Sequence, residues 1–317
     1  MASLPAMDLR QLRALVAVAD HASFSAAARS LHTVQSNVST HVARLERELG
    51  VILVERSTGK LTVEGEAVVE RARRIEAELQ AIDADLASNA GEIRGVVRMG
   101  VIGTTARWLV PALLRELTER YPRVQLIVID ATTTSLLPQV TSGRLDSAVV
   151  NLPINDPDID TEMLFEEDRI VLAPPDHPLA AFDEIDLQTL SEHPIMLTPR
   201  GTTFRDSVDQ EAESAGVRLK IHAEVDGMLL LASLAYEGFG PALLPASAAP
   251  SWATGSWKTV RVRGLTRRTV GLATYRRSAP AAPARAVRES LRAVIPIVAA
   301  RQPGIHVVAP DALPAPI

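Results

Sequence analysis

The chain has 317 residues, a net charge of −5 and no cysteine. It is long enough for two or three domains, holds no disulfide or thiolate metal site, and is too acidic to coat nucleic acid non-specifically. A segment that binds one DNA sequence is compatible with that charge: residues 1–60 carry seven basic residues against five acids, a net of +2, so tight binding would need several copies acting together.

Asp8 to His21 reads as a first helix with Leu9, Leu12, Leu15, Val16 and Ala19 on one face. Ser23 suits the N-cap of a second, because its hydroxyl can accept a backbone N–H left unpaired at a helix start. Ala26, Ala27 and Ala28 leave that helix bare enough for close approach. Thr33 is the expected N-cap of a third helix, from about Val34 to the stop at Gly50. On it Val38, Val42 and Leu45 form one inward stripe. Gln35, Ser36, Asn37, Ser39, Thr40, His41 and Arg44 fall outside that stripe. Amides and hydroxyls with few acids near a helix start suit a helix in the major groove, where amides pair with adenine edges and helix-end N–H groups meet phosphate. A helix-turn-helix places its second helix this way. VILVERSTGKLT then reads as a two-stranded wing, with Arg56 and Lys60 set to meet phosphate.

From Glu64 to Ser88 the chain reads as one helix without proline. Val68, Ala72, Ile75, Leu79, Ile82 and Leu86 are spaced 4, 3, 4, 3, 4, a heptad seam that predicts pairing with a second helix.

The segment Met7 to Ile75 resembles the N-terminal domain of LysR-type transcriptional regulators. The matching residues are Leu9, Leu12, Phe24, Ala27, Ala28, Leu31, Gln35-Ser36-Asn37-Val38-Ser39, Leu45-Glu46, Leu49-Gly50, Leu53, Arg56, Leu61-Thr62 and Gly65. Val54 departs from the family's usual phenylalanine, and the wing looks about two residues short. The rest of the chain has the length and element order of that family's effector domain. The resemblance implies a homodimer or homotetramer built as a dimer of dimers, on a dyad-related promoter site, within reach of RNA polymerase.

From Gly95 strands and helices alternate: VVRMGVI, a helix to Tyr121, VQLIVID, a helix through Leu136, and LDSAVVN. This texture specifies a largely parallel sheet covered on both faces. A second set runs through MLFEEDRIVLAP, PIMLTP, a helix from Phe204, KIHAEVD, a helix from Met228, and ALLP. Residues 267–275 return to the first set, and a helix from about Pro283 closes it. The expected organisation is multidomain: an all-α winged helix-turn-helix over 1–62, a linker helix over 63–90, and an α/β effector domain over 91–301. That domain would hold two Rossmann-like subdomains, one over about 91–165 and 267–301, the other over about 166–266. Residues 302–317, with four prolines, are expected to form a mobile tail.

Ligands of open sheets sit beyond the carboxyl ends of the strands. Those ends carry Gly103, Thr104 and Thr105, then Thr133, then Asn151; the second set offers Thr198, Arg200, Thr202, Thr203 and Met228. Free N–H groups at the helix near Phe204, with Arg200 beside them, suit a small anionic effector. Threonine before a helix is equally an N-cap, but facing threonine-rich loops favour binding, and the corresponding loops carry effector contacts across the family.

The rival class is an α/β enzyme or a small-molecule binder with no DNA role. No GxSxG, P-loop, GxGxxG or HExxH pattern occurs, so neither catalysis, cofactor nor metal is expected. With no apolar leader and no membrane-length apolar run, a cytoplasmic location is expected.

Overall fold

The computed structural model describes residues 7–89, 92–249, 257–277 and 279–307. The chain divides into two compact units, one of residues 1–86 with 142–144 and the other of the remainder.

The first unit is a helical bundle. Helix α1 (Leu9–His21) starts in a capping box, where Asp8 accepts from the Gln11 backbone and Gln11 returns the bond. Helix α2 (Phe24–Ser30) is capped by Ser23, whose hydroxyl accepts from Ala26 N. Helix α3 (Gln35–Leu49) ends at Gly50, whose φ of +72° fits the left-handed stop. Thr33 is not its cap. Val34 takes that position without a side-chain bond, and the Thr33 hydroxyl instead accepts from Asn37 Nδ2 at 2.9 Å. Leu12, Leu15, Ala27, Ala28, Val38, Val42 and Leu45 form one core with Leu53 and Val54.

The wing is reduced to one bridge between Val54 and Leu61. The reason is sequence: the turn from Glu55 to Gly59 takes most of the short segment, leaving few residues to pair. Helix α4 (Val63–Asn89) follows. Its Gly65 lies so close to Leu53 O that any Cβ would overlap it at 2.0 Å, which locks the start of the helix onto the bundle. Val69 and Ala72 join the core, whereas Ile75, Ile82 and Leu86 remain exposed, Leu86 to 64%.

The second unit contains two mixed six-stranded sheets. In chain order its elements begin β1 (Gly95–Val101), α5 (Gly103–Arg120), β2 (Val124–Asp130), α6 (Thr133–Thr141), β3 (Ser147–Asn151) and β4 (Ile159–Glu167). Next come β5 (Arg169–Ala173), β6 (Glu184–Asp186), α7 (Leu187–Glu192), β7 (Pro194–Leu197), α8 (Thr203–Ser214), β8 (Lys220–Glu224), α9 (Met228–Tyr236) and β9 (Ala242–Pro245). The 3-10 turn Ala246–Ala248, β10 (Lys258–Arg263), β11 (Arg268–Tyr275), α10 (Ala282–Ala299) and β12 (Ile305–Val307) complete it. Sheet order is β12-β4-β11-β3-β1-β2 in the first sheet and β6-β10-β5-β9-β7-β8 in the second. Parallel β1, β2 and β3 alternate with helices, while β11 returns antiparallel to β3 and β4.

Two findings differ from the sequence reading. MLFEEDRIVLAP is not one strand of the second set: it breaks at Asp168, with β4 in the first sheet and β5 in the second. Within the expected mobile tail, residues 302–307 are ordered. Gln302 is buried and donates to Ala246 O and Ala249 O, and β12 pairs with β4. Gly304, at φ +78°, fits against Asp168 and Ala246 where a side chain would collide. Residues 308–317 lie outside the described residues.

Candidate nucleic-acid interface and effector site

Burial of Val38, Val42 and Leu45 fixes the rotation of α3 and turns its other face outward. Gln35, Ser36, Asn37 and Thr40 are exposed on that face, with His41 and Thr33 half-buried beside them. Several of these side chains are already oriented. Gln35 Oε1 accepts from Ser25 Oγ at 2.7 Å, Asn37 is held by Thr33, and Thr40 bonds back to Ser36 O at 2.7 Å. Such bonds restrict rotamers before DNA arrives, lowering the ordering cost of a base contact. Ser25 was not singled out from sequence; its place ten residues before Gln35, across the helix-turn, is the signal that could have found it.

The cations divide into two groups. Arg44 pairs with Glu48 at 2.9 Å, and Arg56 pairs with Glu46 at 2.6 Å, touches Ser39 Oγ and lies over Phe24. Lys60 is exposed, as is Arg29 on α2, and both can turn toward phosphate. Ser23 acts as a cap and Ser39 as a partner of Arg56, so both have structural duties in the bundle.

In the second unit, Gly103, Thr104 and Thr105 form the first turn of α5. Thr104 is 4% exposed and its hydroxyl accepts from Arg268 Nη2 at 2.9 Å. Thr105 is fully buried, and its Oγ1 has no hydrogen-bond partner among the described residues. The Asp130 carboxylate sits against Gly103, 2.9 Å from where a Cβ would be. Thr133 Oγ1 accepts from Asn151 N, bringing these two predicted residues together, while Asn151 Oδ1 is buried without a partner among the described residues.

The second threonine loop behaves differently. Thr202 caps α8 by accepting from Arg205 N, and its hydroxyl also reaches Thr198 Oγ1 and Pro199 O. Arg200 and Thr203 are exposed. The buried cation of this loop is Arg205, which reaches Thr198 O, Asp209 and Glu224. Asp206 accepts from Gly201 N at 3.0 Å. Asp206 therefore already takes the Gly201 N–H, and the buried Arg205 is committed to carboxylates. Met228 is half-buried against the apolar side chains of both faces of the second sheet. Sequence reading missed Arg205, since an arginine in the first turn of a helix looks like an ordinary solvated residue.

Among the described residues, no cluster of histidine, aspartate and glutamate suits a metal ion, and no helix is long and apolar enough to cross a membrane.

The family model described as bacterial regulatory helix-turn-helix protein, lysR family, matches residues 9–66, and that described as LysR substrate binding domain matches residues 90–296. A probable hydrogen peroxide-inducible genes activator of Streptomyces viridosporus is 37% identical over 246 residues, covering 76% of this chain and 78% of the relative. The solved structure of a full-length OxyR from Pseudomonas aeruginosa, a cysteine-to-aspartate variant, matches with a TM-score of 0.76 and 28% identity, over 96% of this chain and 99% of that one. Full-length CbnR in complex with its target DNA matches with a TM-score of 0.65 and 25% identity, over 90% and 99%.

Proposed function

The chain belongs to the LysR family of helix-turn-helix transcriptional regulators, and on that footing we propose which of its residues read DNA and which meet an effector. The exposed face of α3 carries this reading. Gln35 and Asn37 meet base edges in the major groove, Ser36, Thr40 and His41 flank them, and Lys60 and Arg29 meet the phosphates on either side. The exposed Ile75, Ile82 and Leu86 of α4 pair with the same helix of a second chain, because apolar side chains repeating every three to four residues gain most by mutual burial. Pairing doubles the modest charge of one DNA-binding unit. A relative solved on its target DNA supports this assembly as a DNA reader.

The first threonine cluster, Gly103, Thr104 and Thr105 with Thr133 and Asn151, is the effector-facing part of the second unit. Buried Thr105 Oγ1 and Asn151 Oδ1 offer a donor and an acceptor that nothing among the described residues satisfies. The curated relative is named for induction by hydrogen peroxide, and the similar solved structure carries a substitution at a cysteine. This chain has no cysteine, so sulfenate or disulfide formation is closed to it. Its signal is a bound ligand, which shifts the protein between arrangements by its differential affinity for them.

The test is a footprint and gel shift at physiological salt, with competitor DNA, on the region upstream of the chain's own gene and on genomic fragments. A protected, dyad-related site is the expected result. Uniform non-specific binding on every fragment would sink this reading.

A further inference from the structure

The two sheets of the second unit are joined where β4 passes into β5 through Asp168 and where β10 passes into β11 through residues 264–267. Glu167 is fully buried at this crossing, and the Arg268 side chain is 10% exposed. Burying a carboxylate this deeply is costly unless a cation lies close to it. Arg268 supplies it: Nε donates to Glu167 Oε1 at 2.6 Å.

Charge compensation needs no more than that, yet Arg268 does more. Its Nη2, which also touches Glu167 Oε1, reaches Thr104 Oγ1 at 2.9 Å and Ser247 Oγ at 3.3 Å, while Glu167 Oε2 accepts from Ser247 N at 2.9 Å. Thr104 belongs to the first turn of α5, which follows a strand of the first sheet. Ser247 belongs to the 3-10 turn that follows β9 of the second. One guanidinium thus joins the first turn of α5 to the 3-10 turn after β9 across the crossing of the two sheets.

We infer that Arg268 is a positioning residue for the effector response, tying Thr104 to Ser247 so that a ligand bound at Thr104 changes how the two sheets are held. This rests on the reading of Thr104 as effector-facing. It also defines the chemistry of the contact. A guanidinium can only donate, so the Thr104 oxygen accepts from Arg268 and keeps its own proton to give. The ligand atom meeting that hydroxyl is a hydrogen-bond acceptor, such as a carbonyl or hydroxyl oxygen. Binding there strains or relieves the Arg268 fork, and the difference between the two sheet placements is the coupling.

Lysine separates this role from simple charge compensation, since it carries the charge but lacks the planar fork. The cysteine-free chain allows a direct readout. Glu119→Cys on α5 and Glu213→Cys on α8, both exposed, would carry a spin-label pair in the full-length protein, diluted into unlabelled chain. One narrow distance is expected in the parent. Arg268→Lys, Ser247→Ala and Thr104→Val should each lose the narrow peak while keeping the parent's circular dichroism and cooperative melt. If Arg268→Lys keeps it, arginine is only a counter-charge and the inference fails. If Arg268→Lys loses it but both hydroxyl variants keep it, the fork is not the link and the inference fails equally. The genomic footprint of the unlabelled parent reports on the regulator reading by itself, so the two failures are distinguishable.

Discussion

Arg56 donates to Glu46 at 2.6 Å while its guanidinium lies 4.9 Å from the centre of the Phe24 ring. The other Glu46 oxygen accepts from Leu53 N and Val54 N, so this one carboxylate fastens the reduced wing to α3. Glu46→Ala leaves both backbone donors unpaired beside buried side chains, and should cost about 1–3 kcal/mol in thermal or urea unfolding. Arg56→Ala removes a half-exposed partner and should cost under about 1 kcal/mol. In DNA titrations it should also weaken all sequences alike; an unchanged affinity and salt slope would assign Arg56 wholly to the scaffold.

Base reading predicts a different signature. Gln35→Ala and Asn37→Ala should each relax preference at one or two base positions, by about 1–3 kcal/mol per lost contact, with little change in non-specific affinity. Ser25→Ala should produce a weaker form of the Gln35 effect, because Gln35 keeps its amide but loses the bond that orients it. Selection of binding sites from randomised DNA measures all three. Unaltered selectivity in the Gln35 and Asn37 variants would show that this face of α3 does not enter the groove.

The α4 seam makes a prediction about assembly. Ile82 is 56% exposed within the single chain and Leu86 is 64% exposed. Burying what remains exposed of each against a partner helix contributes about 1–2 kcal/mol. Ile82→Asp with Leu86→Asp should therefore shift sedimentation velocity to a smaller species and weaken operator binding, while the melt of the bundle is unaffected. A double variant that sediments like the parent would remove α4 from the subunit contact.

Acid stability should depend on Glu162, on β4. Desolvation pushes its carboxyl upward, but hydrogen bonds from Arg292 and Arg288 on α10 overcome this and hold it below the ordinary glutamate value of 4.5. The unfolded chain then binds a proton more readily than the folded one, so the stabilisation is present above about pH 4.5 and is lost as pH falls through the folded value. Glu162→Gln should lower stability at neutral pH and flatten the acid limb of a stability–pH curve. A parallel downward shift at every pH would contradict the linkage.

The helical bundle was legible because its signals are local. Caps, the Val38–Val42–Leu45 stripe and the Gly50 stop lie within a few residues of what they control. The alternation of strands and helices was legible for the same reason. What escaped sequence reading depends on partners far along the chain: Glu167 with Arg268 is a contact across 101 residues, and Gln302 reaches back to Ala246 across 56. Residues 302–307 looked like a tail because their order comes from β4 and the Ala246 turn, not from a pattern of their own. The threonines were found as a class, but only geometry separates Thr202, spent on a cap, from Thr104, held by Arg268.

The paired crossings also set a timetable for synthesis. The second sheet is drawn wholly from residues 169–263, so it can close as it leaves the ribosome. The first sheet needs β11, which lies beyond that insertion, between β3 and β4. Until β11 is made, β3 and β4 present unpaired backbone edges while an entire sheet is translated, the state in which nascent chains pair wrongly or recruit chaperones. Substitutions that slow the closing of the second sheet should therefore reduce soluble yield in cells even where the finished protein melts normally.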